Sequence, residues 1–202
     1  MKLYDSSTAP NPRRVRIFLA EKGIALPTEQ VDIATRANLE PAFRAKNPFA
    51  QLPVLELDDG TCISESVAIC RYFEETQPDP PLFGVGARER TLVEMWQRRV
   101  ELEFTNRVFL CFQNTSDFFK GRLTQVPEFG AVSKQRAEAT LTLLDGVLAS
   151  QRFIAGDSFS IADITTLVGV DFGRVIKLRP SPDQQNLLRW HAEVSARASA
   201  RA

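Results

Sequence analysis

"QLPVLELDDGTCISESVAICRYFEE", residues 51–75, contains two short apolar runs, a tight turn and a helical pattern. The turn Asp58-Asp59-Gly60 separates the runs, and an Asp-Gly pair between alternating apolar residues favours a β-hairpin with a type I′ turn. Apolar residues at helical spacing then predict a helix from Ser64 to about Gln77. We therefore expect a hairpin closed by a helix, which forms one half of a small mixed sheet.

The residues ahead of this hairpin supply the other half of the sheet. The signals are a strand at 2–4, a helix with Asn11 as N-cap, Pro12 as first residue and Gly23 just past its end, and a strand at 28–33. Such a β-α-β unit requires a parallel strand pair. With a further helical stretch near 38–45, the order βαβαββα defines an α/β domain over residues 1–78.

A second domain follows an abrupt change in composition. Prolines and glycines crowd residues 79–87, which predicts a linker. Residues 88–202 then carry apolar stripes at helical spacing, which predict an all-α bundle. The stripes are Leu92, Trp96, Val100, Phe104, Val108 and Phe112; Ala137, Leu141, Leu144 and Leu148; and Ile161, Ile164, Val168, Phe172 and Val175. Ser160 and Asp163 form a capping-box pattern, and the terminal "ARASARA" is expected to fray.

Composition and charge narrow the classes of partner. Lysine and arginine number 25 against 25 acidic residues, so the chain lacks the positive footprint of a protein that binds nucleic acid or an anionic membrane. No apolar run reaches the roughly 18 residues of a membrane span, and no secretory signal begins the chain, so a cytoplasmic location is expected. Three scattered cysteines and the lone His191 predict neither a disulfide framework nor a metal site.

Three stretches of the first domain are candidates for binding a ligand. The turn at 6–12 opens a helix N-terminus, where backbone N–H groups suit an anion. Pro53 borders an apolar strand and is a candidate for a cis peptide bond with Leu52. Glu65 and Ser66 stand at a helix start. Each stretch also has a purely structural interpretation: a plain helix start, a trans proline at an edge strand, and a helix cap with a first-turn acid.

In order and spacing, these stretches resemble the glutathione transferase family. The resemblance rests on "RRVRIFLAEKGI" (13–24), "NPFAQLPVLELDDGTCISESVAICRYFEE" (47–75) and "FIAGDSFSIADI" (153–164), and it is nearest to the theta, phi and zeta classes and to fungal and bacterial members. It implies a thioredoxin-like N-terminal domain, a linker and an all-helical C-terminal domain. It also implies a homodimer that uses glutathione as co-substrate, with no metal, to attack a hydrophobic electrophile.

The resemblance assigns glutathione contacts to particular residues. It implies that the backbone of Leu52, before a cis Pro53, pairs with the cysteinyl part of the tripeptide. Glu65 would accept from the γ-glutamyl ammonium, while the Ser66 hydroxyl and nearby helix N–H groups meet the carboxylate. Gln51 would approach the glycyl or cysteinyl part of the tripeptide, and Asn38 falls near a position that contacts the glycyl carboxylate in some classes.

The position that activates the thiol in this family is occupied by alanine. Counting back from "RRVRI", the serine or cysteine of other members falls on Ala9, which has no proton to donate. We hypothesise that Ser7 or Thr8 contributes a hydroxyl instead, and the Asn11 amide, the helix N-terminus and Ser6 are further candidates. A water held by polar groups at the end of the long helix is another, although these groups also fit an ordinary helix terminus: Gln113, Asn114 and Thr115.

The electrophile site is defined less sharply. Family members bind the electrophile against the first bundle helices, so Phe112, Phe118 and Phe119 are candidate walls, although they equally suit a core. Phe49 resembles the aromatic plug that some classes insert into a partner subunit. The leading interpretation is a glutathione S-transferase. The alternatives are a glutathione-binding protein without turnover, and a glutathione-dependent isomerase or peroxidase on the same scaffold.

Overall fold

A four-stranded mixed sheet organises the first part of the chain. In the computed structural model, which describes all 202 residues, its strands are β1 (Lys2–Asp5), β2 (Thr28–Gln30), β3 (Val54–Glu56) and β4 (Cys62–Ser64). The spatial order is β2-β1-β3-β4, with β1 parallel to β2 and antiparallel to β3, and β3 antiparallel to β4. This confirms the mixed sheet that the sequence predicts and the thioredoxin-like fold that the family resemblance implies. The second strand is shorter than predicted, because the Asp32 carboxylate accepts from the Ala34 N–H and turns the chain.

Helix α1 (Pro10–Lys22) starts two residues earlier than the sequence indicates. Its N-cap is Ala9, so the prediction of Asn11 as N-cap and Pro12 as first residue is wrong. The physical reason is that Pro10 also suits the first helical position, where its fixed φ is favourable and its missing N–H costs nothing. The predicted end is confirmed, since Gly23 adopts φ 66° and its N–H returns to Ala20.

The hairpin turn and the next helix differ in detail from prediction. In the turn, Gly60 has φ 85° while Asp58 and Asp59 stay at negative φ, so it is a three-residue loop rather than a type I′ turn. Ser64 belongs to β4 rather than to the helix. The helix after it, α3 (Ser66–Thr76), takes Glu65 as N-cap, and a short helix, α2 (Pro41–Arg44), precedes the hairpin.

The second part of the chain is helical. It contains α4 (Gly86–Val100), a π-helical segment (Glu101–Thr105), α5 (Asn106–Thr115), α6 (Pro127–Leu148), α7 (Ile161–Phe172) and α8 (Gln185–Ser195). Most predicted stripe residues are buried. The exceptions lie at stripe ends: Leu92 and Val175 are exposed, and Trp96, Phe112 and Phe172 are half-buried. Residues at a strict spacing of four move gradually around a helix of 3.6 residues per turn, so the ends of such a stripe turn away from the core. Val175 lies beyond the end of α7, in a 3₁₀ turn.

Contacts divide the chain into two compact units, Met1–Leu82 with Ala198–Ala202, and Phe83–Arg197. The boundary falls inside the proposed linker 79–87. The terminal residues do not fray as predicted, because Ala198–Arg201 forms a 3₁₀ helix on α1. There Ser199 is buried and donates to Glu21, while Arg13 donates to the Ala200 carbonyl at 3.0 Å. None of the helices is both long and apolar enough to cross a membrane.

Candidate functional site

Strand register brings the three candidate stretches to one edge of the sheet. Tyr4 is paired with Val54 and Val54 with Ser64, so the end of β1, the start of β3 and the end of β4 lie side by side. The turn after Asp5, the Leu52–Pro53 bond and Glu65 therefore follow one another across this edge. Residues far apart in the chain are brought together by strand pairing alone.

Side-chain hydrogen bonds from β1, α1 and β2 hold the turn at 6–9 in place. Asp5 is buried, and its carboxylate accepts from Arg16 at 2.6 Å and from the Gln30 amide at 2.8 Å. Arg16 also donates to the Ser7 carbonyl at 3.2 Å, and the Ser7 N–H donates to Gln30 at 2.9 Å. The sequence did not single out Arg16 or Gln30, because the predicted β-α-β unit places α1 and β2 near the turn without showing which of their side chains face it.

The side chains proposed to replace the missing hydroxyl occupy different environments. Ser7 and Thr8 are exposed and their hydroxyls have no partner within the protein, whereas Ser6 is buried. Asn11 is half-buried at the second position of α1, where its Oδ1 accepts from Arg14 Nη1 at 3.0 Å. The structure therefore distinguishes Asn11, whose side chain is held by Arg14, from two exposed hydroxyls that no group of the protein holds.

The loop ahead of β3 presents an unpaired length of backbone. Leu52–Pro53 is a cis peptide bond, the first of the two possibilities that the sequence left open. Neither the N–H nor the carbonyl of Leu52 has a hydrogen-bond partner within the protein, although Leu52 adjoins a strand. An extended ligand can satisfy both groups, as an added strand does.

Two asparagines hold that loop in place. Asn38 Nδ2 donates to the Ala50 carbonyl at 2.7 Å, while Asn47, which is buried, donates to the Gln51 carbonyl at 2.8 Å and accepts from the Phe49 N–H. Asn38 thus supports the loop, and its expected contact with a glycyl carboxylate stays a prediction. The Gln51 side chain is exposed. Asn47 is a further residue that the sequence did not single out.

The start of α3 is a second helix N-terminus at this edge. Its N-cap Glu65 is exposed at φ 69°, a conformation uncommon outside glycine, and its side chain caps none of the helix N–H groups. The first N–H groups of α3 therefore remain available to an anion. Such local strain is typical of binding and catalytic sites.

A buried arginine connects the two helix starts. Arg14 is 2% exposed, and its Nη1 donates both to Asn11 Oδ1 and to Ser66 Oγ, the latter at 2.5 Å. Cys70 lies deeper on α3, and burial raises the pKa of its thiol well above the ordinary range, so this thiol remains protonated. Cys70 therefore does not supply a thiolate nucleophile to this edge.

The second unit contains a cluster of aromatic side chains. Phe112 lies 5.3 Å from Phe119 and 5.3 Å from Phe172 between ring centroids, and stacks on Phe118 at 6.3 Å. Phe118 is exposed, so the cluster presents an apolar surface as well as a packed interior. Asn114 lies beside it on α5, where it donates to Leu110 and accepts from the Val126 N–H. Its proposed role with a water stays a prediction.

Comparison with known proteins agrees with this geometry. The family model for the glutathione S-transferase N-terminal domain matches residues 8–76, and that for the C-terminal domain matches 109–198. Glutathione S-transferase 2 of Saccharomyces cerevisiae is 34% identical over 203 residues, which cover 98% of this chain and 87% of the relative.

Solved structures give the same result over the full length. A glutathione S-transferase domain-containing protein from Marinobacter aquaeolei superposes with a TM-score of 0.95 at 40% identity, covering 98% of this chain and 99% of that one. Gtt2 from Saccharomyces cerevisiae superposes with a TM-score of 0.95 at 34% identity, covering 100% and 99% of the two chains. This chain belongs to the glutathione S-transferase family.

Proposed function

We propose that this protein binds glutathione along the sheet edge and conjugates its thiolate to a hydrophobic electrophile. The observation that carries the proposal is the unpaired Leu52 backbone beside Pro53, since it offers one donor and one acceptor to an extended peptide. The uncapped start of α3 and the carboxylate of Glu65 complement the two charges at a γ-glutamyl end. Together these groups match a short anionic peptide better than an apolar or cationic ligand.

In the proposed mechanism, binding positions the thiol at the start of α1. The Leu52 backbone aligns the cysteinyl residue, and Glu65 and Ser66 hold the γ-glutamyl end. A free thiol with a pKa near 8.5 is mostly protonated at neutral pH, and each hydrogen bond or partial positive charge directed at the sulfur favours the thiolate. The thiolate then attacks the electrophile, forming a carbon–sulfur bond, and the leaving group departs with the electron pair.

The aromatic cluster supports the apolar nature of the proposed electrophile. Phe112, Phe118 and Phe119 present ring faces and edges that stack on aromatic or extended apolar molecules. The nearby arginines are already engaged: Arg122 covers the Phe118 ring at 4.3 Å, and Arg107 pairs with Glu103 at 3.3 Å. This arrangement favours a neutral apolar electrophile over a phosphorylated one.

Replacing Glu65 with glutamine tests the proposed glutathione site. Glu65→Gln keeps the backbone and the size of the side chain but removes the charge opposite the ammonium, so the KM for glutathione should rise about tenfold or more. The measurements are calorimetric titration with glutathione and steady-state kinetics with an aromatic electrophile. Glu75→Gln, an exposed change on the same helix, is the control. Equal glutathione affinities for wild type, E65Q and E75Q would contradict the site.

A glutathione-binding protein without turnover is the second candidate function, because Ala9 is the N-cap of α1 and donates no side-chain hydrogen bond. Parallel assays separate the possibilities. Conjugation of an aromatic electrophile supports the transferase, reduction of a hydroperoxide supports a peroxidase, and isomerisation of an activated double bond supports an isomerase. Binding without any of these reactions supports the second candidate.

We also propose that the protein forms a homodimer in which Phe49 enters the partner subunit. Phe49 is 77% exposed, and its loop is fixed by Asn47, so a large apolar ring is presented rigidly to solvent. Phe49→Ser should raise the dissociation constant of the dimer by about tenfold or more, because a buried aromatic anchor is lost. Sedimentation equilibrium measures this constant. Phe129→Ser, another exposed phenylalanine, is the comparison. A monomeric wild type would contradict the proposal.

A further inference from the structure

Arg14 joins α1 to α3 through a chain of side-chain contacts. One guanidinium nitrogen, Nη1, lies 3.0 Å from Asn11 Oδ1 and 2.5 Å from Ser66 Oγ. Arg14 is 2% exposed and Ser66 6%, so both hydrogen bonds are shielded from water. Asn11 and Ser66 are separated by more than fifty residues, yet a single buried cation holds both side chains.

This contact fixes the direction of hydrogen bonding at both helix starts. An arginine side chain has donors and no acceptor, so the asparagine atom that faces it must be the oxygen. The Asn11 Nδ2 hydrogens, which have no acceptor within the protein, then point away from Arg14. Ser66 Oγ likewise accepts from Arg14 and retains its own hydrogen for donation. Two groups that could donate or accept are thereby left with hydrogens to donate to a ligand.

The start of α1 needs such a donor because its backbone offers few. Pro10 and Pro12 have no N–H, and the Ala9 N–H already donates to the Ser6 carbonyl at 3.0 Å. Of the first three helical residues, only Asn11 has a backbone N–H. The expectation that backbone N–H groups at this helix start suit an anion therefore applies, within these three residues, to Asn11 alone. The Asn11 side chain and backbone are the donors that this helix start can direct at an anion.

We propose that Asn11 is a further binding residue for the glutathione sulfur, and that Arg14 is the positioning residue that turns the Asn11 and Ser66 side chains into donors. The inference rests on the proposed function and deepens it. The Asn11 carboxamide donates to the thiolate, while the Ser66 hydroxyl donates to the γ-glutamyl carboxylate. Arg14 contacts neither end of the tripeptide. It couples them, because loss of its guanidinium frees both side chains to rotate.

The decisive variant is Asn11→Asp. Aspartate matches asparagine in size and keeps an oxygen for Arg14, so the contact that packs α1 against α3 survives, but both amide hydrogens are lost and a negative charge replaces them. The pKa of the bound thiol should rise by about one unit or more, since a like charge and a lost hydrogen bond both disfavour the thiolate. The readouts are the pH profile of kcat/KM and the ultraviolet absorbance of the thiolate in the binary complex. Gln135→Glu, an exposed amide-to-acid change on α6, is the matched control.

Variants of Arg14 test the positioning role. Arg14→Met removes the shared donor and should raise the thiol pKa and the KM for glutathione together, whereas Arg14→Lys retains a cation and should restore most of both. The effects of Asn11→Ala and Arg14→Met on kcat/KM should be non-additive. The double variant should lose no more than about twofold in kcat/KM beyond the poorer single variant. If Arg14→Met fails to fold, Asn11→Asp and Asn11→Ala still decide the proposal through the pH profile.

The outcomes separate this inference from the proposed function. A wild type that binds no glutathione defeats the proposed function itself. A wild type that binds and turns over glutathione, with Asn11→Asp showing an unchanged thiol pKa, overturns only the role of Asn11. The same holds if Ser7→Ala or Thr8→Ala raises the thiol pKa while Asn11→Asp does not, because a hydroxyl would then be the donor.

Discussion

Replacing Lys22 with methionine is expected to lower the free energy of unfolding by about 3–5 kcal/mol, because it removes the buried ammonium that pairs with the Glu74 carboxylate. The Lys22 ammonium is completely buried and lies 2.6 Å from Glu74. It also donates to the carbonyls of Gln77, Pro78 and Pro80 at 2.8, 3.1 and 2.6 Å. Methionine fills a similar volume but satisfies none of these acceptors. Urea unfolding at a fixed protein concentration measures the loss.

Two further variants show whether the buried charge is the cause. Lys134→Met removes a partner from the exposed pair with Glu138, whose atoms are 4.0 Å apart, and should cost at most about 1 kcal/mol. Glu74→Gln keeps an acceptor for the Leu82 N–H and removes the charge, so adding it to Lys22→Met should recover part of the stability. Equal losses for Lys22→Met and Lys134→Met would show that the buried pair contributes no more than a surface contact.

Lys22 also illustrates which parts of the fold the sequence could predict. The strands, α1 and its end at Gly23 follow from apolar periodicity and from the backbone freedom of glycine, which are local signals. A lysine in the last turn of a helix normally lies at the surface, and nothing local distinguishes Lys22 from such a residue. Its burial is decided by Glu74 and by carbonyls more than fifty residues away.

In the candidate site, too, local sequence signals predict some residues and only the tertiary fold reveals others. Leu52, Pro53, Glu65 and Ser66 were predicted because family motifs and helix-start patterns mark them, and register places them at one edge. Arg14 was missed, since "RRVR" indicates a charged surface and only the tertiary fold buries its second arginine. For Asn11 the sequence pattern predicts an N-cap whereas the structure makes it the second helical residue, because two prolines flank it and either suits a first helical position.

The capping box of α7 was predicted from sequence, but its central role in the second unit was not. Asp163 is buried and its carboxylate accepts four hydrogen bonds: from the Ser160 N–H and hydroxyl at 3.0 Å each, and from the Ile154 N–H and the Trp190 indole at 2.9 Å each. A pattern four residues long therefore joins three separate elements. Of these four hydrogen bonds, only the one from the Ser160 N–H belongs to the capping box itself.

Asp163→Ala should reduce the free energy of unfolding by about 3–5 kcal/mol, because each buried donor left without an acceptor costs about 1–3 kcal/mol. The loss of the Trp190 contact should also alter tryptophan fluorescence in the folded state. Denaturant unfolding monitored by fluorescence and by circular dichroism measures both effects. Asp157→Ala, an exposed change in the preceding loop, should stay within about 0.5 kcal/mol of wild type. A loss for Asp163→Ala no larger than that of the control would contradict the role of Asp163.

The pH dependence of stability provides an independent test of the same carboxyl. Burial raises the pKa of Asp163 from 3.8 to about 6, so the folded protein binds a proton here more tightly than the unfolded chain does. Between about pH 4 and pH 6 the folded state therefore holds more protons, and the contribution of Asp163 to stability falls as the pH rises, then stays constant. Asp163→Asn does not titrate. The difference in the free energy of unfolding between wild type and Asp163→Asn should shrink by about 3 kcal/mol from about pH 4 to about pH 6, since one pKa unit corresponds to about 1.4 kcal/mol. A deficit that is constant or grows with pH would show that Asp163 is ionised throughout and held by its four donors.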